Sequence, residues 1–113
     1  MAIAASSCGS SEVREAERLT GGSAHRGRTA VGKYGCAACH TIPGIDGATA
    51  TVGPPLDKVA VRPFLGGRLP NTPDNMIKWI QHPQSVDPKN VMPELGVSDR
   101  DARDLAAFLY TLR

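Results

Sequence analysis

The chain has 113 residues and a formal charge of +2, and only 4% of its residues are aromatic. This length suits one domain, and a domain so small buries a limited share of its surface, so a bulky cofactor would help to stabilise its core. The small net charge argues against nucleic acid as the main partner, because phosphate recognition usually needs a clustered basic face.

Residues 1–25 are rich in Ser, Gly, Ala and Glu, and they show little apolar periodicity. We therefore expect an N-terminal arm or tether without a face toward the core. The Ala-Ser-Ser-Cys run that ends at Cys8 loosely resembles the site where bacterial lipoproteins are cut and lipidated. It predicts the remnant of a lipoprotein signal and a membrane tether through Cys8, and a plain tail is the alternative. Residues 26–113 would form the folded domain.

The rest of the pattern predicts an all-α domain with three main helices and long loops. The first helix is expected over residues 26–38, and residues 41–70 form a long loop rich in Gly and Pro turn signals. Thr72 is expected to cap a second helix that ends before Pro83, and Ser98 to cap an amphipathic last helix. A loop as long as 41–70 is often functional in a compact domain, so we expect it to wrap around something.

The motif Cys36-Ala-Ala-Cys39-His40 is the strongest chemical signal in the chain. Two thiols three positions apart can add to the two vinyl groups of one haem, and the next residue then places an imidazole beneath the iron. A redox dithiol is one alternative, but it normally lies beside a βαβ unit, and no parallel-strand pattern is present. Half of a zinc site is another, but no second C-x-x-C or H-x-x-x-H supplies further ligands.

An electron-transfer haem needs a second axial ligand, and the candidates are Met76, Met92, His25 and His82. Met92 is preferred because it lies in a downstream loop and because a thioether ligand favours reduced iron. Met76 lies in an apolar helical segment, where packing in the core is expected. His25 falls in the arm, and His82 falls at a helix end, where it is expected to face solvent.

Residues 27–113 resemble the class I cytochrome c family, especially the cytochrome domains attached to bacterial haem–copper oxidases. The likeness rests on the C-x-x-C-H motif, the Gly53-Pro-Pro-Leu run, the segment from Pro83 to Met92 and the closing amphipathic helix. It implies the cytochrome c fold and one covalently bound haem c, with iron held by His40 and Met92.

The resemblance also implies roles for residues around the haem. Pro54 matches the proline whose backbone carbonyl accepts the proton of the ligand histidine, and Trp79 matches an aromatic residue packed on the methionine side. Arg62 and Asn90 match positions near the two haem propionates. The expected cofactor-binding set is therefore Cys36, Cys39, His40, Met92, Pro54, Arg62, Trp79 and Asn90, with His40 and Met92 as the metal ligands.

These features predict an electron carrier, not an enzyme, because filled axial positions leave no site on iron for a substrate. The expected partners are respiratory redox proteins, such as a cytochrome oxidase or a quinol-oxidising complex. Thioethers form outside the bacterial cytoplasm, so the resemblance implies the periplasm or the outer face of the cytoplasmic membrane. The alternatives are a haem peroxidase or gas sensor, and a subunit of a larger oxidoreductase complex.

Overall fold

The computed structural model describes residues 7–113, with side chains described from residue 11 onward. This part of the chain is mainly helical, which confirms the predicted all-α class. The helices are α1 Ser7–Thr20, α2 Ala24–Tyr34, α3 Pro73–Gln81, α4 Pro83–Val86 and α5 Asp99–Leu109. Between them lie the 3-10 turns Cys36–Ala38 and Val59–Val61 and the short strands β1 Phe64–Leu65 and β2 Leu69–Pro70.

Hydroxyl side chains cap the helices α2, α3 and α5. Ser23, Thr72 and Ser98 each accept a hydrogen bond from the backbone N–H three residues later, at 3.1–3.2 Å. These caps satisfy N–H groups that have no partner inside their helix. The helix starts predicted at Thr72 and Ser98 are therefore confirmed.

The core forms where α2 crosses α5 and where α3 packs against α5. A Cβ atom on Gly27 of α2 would collide with the backbone of Asp104 and lie 2.8 Å from Cβ of Phe108. Only glycine therefore allows the two helices to approach this closely. Met76 of α3 is 1% exposed within the core, which confirms its predicted packing role.

Helix α1 departs from the expectation of an arm without a core face. It packs against α5, and Ala16 and Thr20 are each only 2% exposed. Glu17 Oε2 accepts a hydrogen bond of 2.9 Å from the N–H of Ala24 and so ties α1 to the start of α2. The expectation is wrong here because α1 buries small residues, which leave no stripe of large apolar side chains in the sequence.

The predicted tether through Cys8 stays a prediction, because residues 1–6 and the Cys8 side chain lie outside the described residues. The division into residues 1–25 and 26–113 is likewise still a prediction. Among residues 7–113, no helix combines the length and apolar character needed to cross a membrane.

The long loop over residues 41–70 contains more local structure than the sequence predicted. Strands β1 and β2 pair antiparallel, with Phe64 opposite Pro70 and Leu65 opposite Leu69. Such two-residue strands are too short to produce an alternating apolar pattern, so the sequence signals only the turn between them, at Gly66-Gly67.

Candidate haem site

The C-x-x-C-H motif lies on a tight turn directly after α2, because the helix expected over residues 26–38 ends at Tyr34, before Cys36. Gly35 ends α2 in the left-handed conformation, with φ of 70°, and the 3-10 turn Cys36–Ala38 follows. The N–H groups of Cys39 and His40 both donate to the carbonyl of Cys36, at 3.2 and 3.1 Å. The turn therefore holds both thiols and the imidazole within one short, internally bonded segment.

The imidazole of His40 is oriented by the backbone of a distant loop. His40 Nδ1 lies 2.7 Å from the carbonyl oxygen of Pro54. A carbonyl can only accept, so Nδ1 must carry the proton, and the lone pair of Nε2 remains for a metal. This is the contact that the resemblance implied for Pro54, and an acceptor on Nδ1 makes a ligating histidine more basic.

Gly53 forms a wall against the His40 ring, and its role was missed by the sequence reasoning. A Cβ atom on Gly53 would lie 2.5 Å from Cε1 and 2.8 Å from Nδ1 of His40. The N–H of Gly53 also donates to the carbonyl of Cys39 at 2.7 Å, and the N–H of Leu56 donates to the carbonyl of Thr41 at 2.9 Å. Backbone hydrogen bonds thus join the loop to the residues directly before and after His40. The glycine before Pro-Pro was the available signal, but as a turn and as part of the family resemblance it indicates no contact with His40.

Arg62 reaches the same loop. Its Nη2 donates to the carbonyl of Pro55 and, at 2.8 Å, to the carbonyl of Asp57. The same nitrogen lies 3.7 Å from the Asp57 carboxylate. Arg62 therefore braces the loop that carries Pro54, and its expected contact with a haem propionate stays a prediction.

Met92 is half-buried in the irregular segment after α4. Asn90 Oδ1 accepts a hydrogen bond of 3.0 Å from the N–H of Met92, and Gln84 Nε2 donates to the Asn90 carbonyl at 3.0 Å. After Met92, Glu94 lies 3.6 Å from Nδ1 of His82. The structure thus uses Asn90 to shape the backbone at Met92, and the propionate role of Asn90 stays a prediction.

Trp79 is half-buried on α3 and packs against the hairpin turn. A Cβ atom on Gly66 would lie 2.5 Å from Cη2 of the Trp79 ring, and Gly66 has a φ of 57°. Glycine is thus required there for both space and backbone conformation. His25 is exposed in the first turn of α2.

Apolar side chains on the loops fit a large apolar cofactor. Five large apolar residues near Gly53, the hairpin and Met92 are exposed. Their exposed fractions are 69% for Val52, 53% for Val61, 55% for Phe64, 81% for Val91 and 42% for Leu95. A porphyrin can cover such surface, the paired thiols can add to its vinyl groups, and the oriented imidazole can bind its iron. The residues present therefore fit haem.

The alternatives for the cysteine pair find little support in this arrangement. Burial raises the pKa of Cys36, whereas redox dithiols depend on a lowered thiol pKa. The residues that the structure describes contain no group of three or more His, Cys, Asp or Glu side chains placed to hold a metal ion. A zinc site built from these four residue types is thus not formed in that part of the chain.

Comparisons with known proteins identify the family of the chain. The family model named Cytochrome c matches residues 24–113. Subunit 2 of cytochrome c oxidase from Alkalihalophilus pseudofirmus is 34% identical over 101 residues, which cover 88% of this chain and 28% of that relative. No solved structure matches the chain significantly. The chain belongs to the cytochrome c family, and it is a haem-based electron carrier with covalently bound haem c.

Proposed function

We propose that this chain passes single electrons through its haem within a respiratory chain and delivers them to a haem–copper oxidase. In this proposal Cys36 and Cys39 form the thioethers, and His40 and Met92 bind the iron. The observation that carries the proposal is the 2.7 Å contact between His40 Nδ1 and the Pro54 carbonyl. It presents Nε2 as a ligand whose orientation is already set.

The haem, when bound, supplies reversible one-electron exchange, and the protein supplies orientation and a dry environment. The turn after α2 positions the two thiols and His40 together. Gly53 and Pro54 hold the ring, and Asn90 shapes the segment that presents Met92. A fixed ligand set lowers the reorganisation needed when the iron changes charge, which suits an electron carrier.

The partner is proposed from the similarity to subunit 2 of cytochrome c oxidase and from the exposed surface of this chain. Basic residues are sparse in the segment around Met92, because Gln84 and Val91 are uncharged. Val91 is 81% exposed. We therefore propose docking through small apolar residues, Ala37, Ala38 and Val91. The periplasm or the outer face of the cytoplasmic membrane is the proposed location, because thioethers form there in bacteria.

Stopped-flow mixing of the reduced holoprotein with a purified haem–copper oxidase tests this function. We expect rapid oxidation with weak dependence on salt, since apolar docking is not screened. Val91→Asp should slow the reaction, while Val13→Asp on α1 is the matched control and should not. No electron transfer, or a steep fall of the rate with salt, would contradict the proposed partner or docking mode.

Binding of carbon monoxide separates this function from a gas sensor or peroxidase. With both axial positions filled, the reduced wild-type protein should bind carbon monoxide slowly or not at all. Immediate and complete binding would show an open iron position and would count against electron transfer as the main activity.

A further inference from the structure

The loop over residues 53–57 has few hydrogen-bond donors of its own. Pro54 and Pro55 carry no N–H, so this loop cannot be held by the usual backbone pattern. The N–H of Gly53 donates to the carbonyl of Cys39 in the motif, and the N–H of Leu56 donates to the carbonyl of Thr41 directly after the motif. The carbonyls on the far side of the loop, those of Pro55 and Asp57, are instead held by the guanidinium of Arg62.

Arg62 is itself anchored to the C-terminal end of the domain. Asn71 Nδ2 donates to the carbonyls of Arg62 and Val59, at 2.8 and 2.9 Å. Tyr110, which follows α5, donates its hydroxyl proton to Asn71 Oδ1 at 2.7 Å. Tyr110 is only 8% exposed. A continuous set of hydrogen bonds therefore connects the buried end of the domain to the carbonyl next to Pro54.

We propose that Arg62 is a positioning residue for the His40 imidazole. By holding the Pro55 and Asp57 carbonyls, it fixes the adjacent Pro54 carbonyl that receives the Nδ1 proton of His40. The Arg62 side chain is 32% exposed, so its charge is partly sheltered from solvent. Its planar guanidinium can donate to neighbouring carbonyls in a fixed geometry, which the flexible ammonium of a lysine does less well. This inference rests on the proposed function, in which His40 binds the iron.

Hydrogen exchange of the His40 Nδ1 proton, followed by NMR in the reduced holoprotein, tests this role. Exchange requires the bond to Pro54 to open, so its rate reports how firmly that carbonyl is held. In Arg62→Gln we expect exchange on the order of tenfold faster than in the wild type. Arg68→Gln is the matched control, because Arg68 pairs with Asp87 in another loop, and it should exchange like the wild type.

Arg62→Lys keeps the positive charge and carries the test if Arg62→Gln does not fold. We expect it to exchange faster than the wild type, because a lysine ammonium lacks the planar fork. An unchanged exchange rate of the His40 Nδ1 proton in a folded Arg62 variant would overturn the proposal. A shift in the pH dependence of the reduction potential would not rescue it, because that shift points to a contact between Arg62 and a propionate alone. Failure of the proposed function appears separately, as a wild-type spectrum without histidine and methionine ligation.

Discussion

Arg26 of α2 and Asp104 of α5 form a two-pronged pair, with Nε 2.9 Å from Oδ2 and Nη2 3.1 Å from Oδ1. The N–H of Ser23 also donates to Oδ1 at 2.8 Å. The Asp104 side chain is only 3% exposed. Burial alone would raise the pKa of Asp104, but the hydrogen bonds from Arg26 and Ser23 outweigh it and hold that pKa below its usual value. The ionised carboxylate is thus part of the crossing between α2 and α5.

This pair predicts a loss of stability in acid. The pKa of Asp104 is lower in the folded than in the unfolded chain, so the unfolded chain binds the proton first as pH falls. The contribution of Asp104 to stability is therefore complete well above about pH 3.9 and is lost as pH falls through its lower, folded pKa. We expect the free energy of unfolding, from denaturant titrations at several pH values, to fall less steeply in Asp104→Asn than in the wild type.

At pH 7 Asp104→Asn should also be less stable by about 1–3 kcal/mol, because it weakens hydrogen bonds to a charged partner. Asp46→Asn is the control, since Asp46 is exposed in a loop, and it should follow the wild-type curve. Identical acid slopes for Asp104→Asn and the wild type would show that this pair does not set the pH dependence.

Two glycines of α2 should respond to alanine in opposite directions. Gly27→Ala places a methyl group against the backbone of Asp104, and we expect it to cost about 1–3 kcal/mol through overpacking. Gly32 has nothing within 4 Å of its added Cβ, so Gly32→Ala should stabilise the helix by about 0.5–1 kcal/mol. Thermal unfolding of both holoproteins provides the comparison, and equal effects would contradict the described crossing.

The wall beside His40 should not tolerate a side chain. Gly53→Ala would push on the imidazole or move the loop away from it, at a cost of about 1–3 kcal/mol in the stability of the holoprotein. We also expect an altered visible spectrum, because the ligand ring shifts relative to Pro54. A variant with wild-type stability and spectrum would show that the ring does not sit against Gly53.

Much of the helical framework could be predicted from local signals. Thr72 and Ser98 each precede an apolar periodic run, and the proline after Thr72 strengthens the helix start. The apolar neighbours of Met76 predict that it lies in the core, and it is 1% exposed. These features depend on residues close in sequence, which is why pattern and capping chemistry suffice.

The misses depend on contacts that are distant in sequence. Ala16 and Thr20 are buried in α1, which packs against α5, and small residues such as these do not mark the buried face of a helix in the sequence. Gly53 is needed because the ring of His40 lies too close to leave room for a Cβ atom, and the Gly-Pro-Pro run by itself indicates a turn and not this contact. The bracing of the Pro55 carbonyl by Arg62 likewise appears only once the loop is folded.

Covalent attachment makes a direct prediction for the cysteines. In the wild type, haem should stay with the protein during acid–acetone extraction, and Cys36→Ala with Cys39→Ala should release it. We expect the double variant to be largely unfolded by circular dichroism, because so small a domain has little core without its cofactor. A folded and stable double variant would show that haem is not needed to complete the core.

The near-infrared spectrum of the oxidised holoprotein tests the proposed ligand pair most directly. The wild type should show the weak band of methionine sulfur on ferric haem. Met92→His should abolish this band and lower the reduction potential, because imidazole favours ferric iron more than a thioether does. Met76→Leu is the control and should retain the band, since that swap nearly conserves volume in the core. If Met76→Leu removes the band and Met92→His does not, Met92 is not the second ligand of the iron.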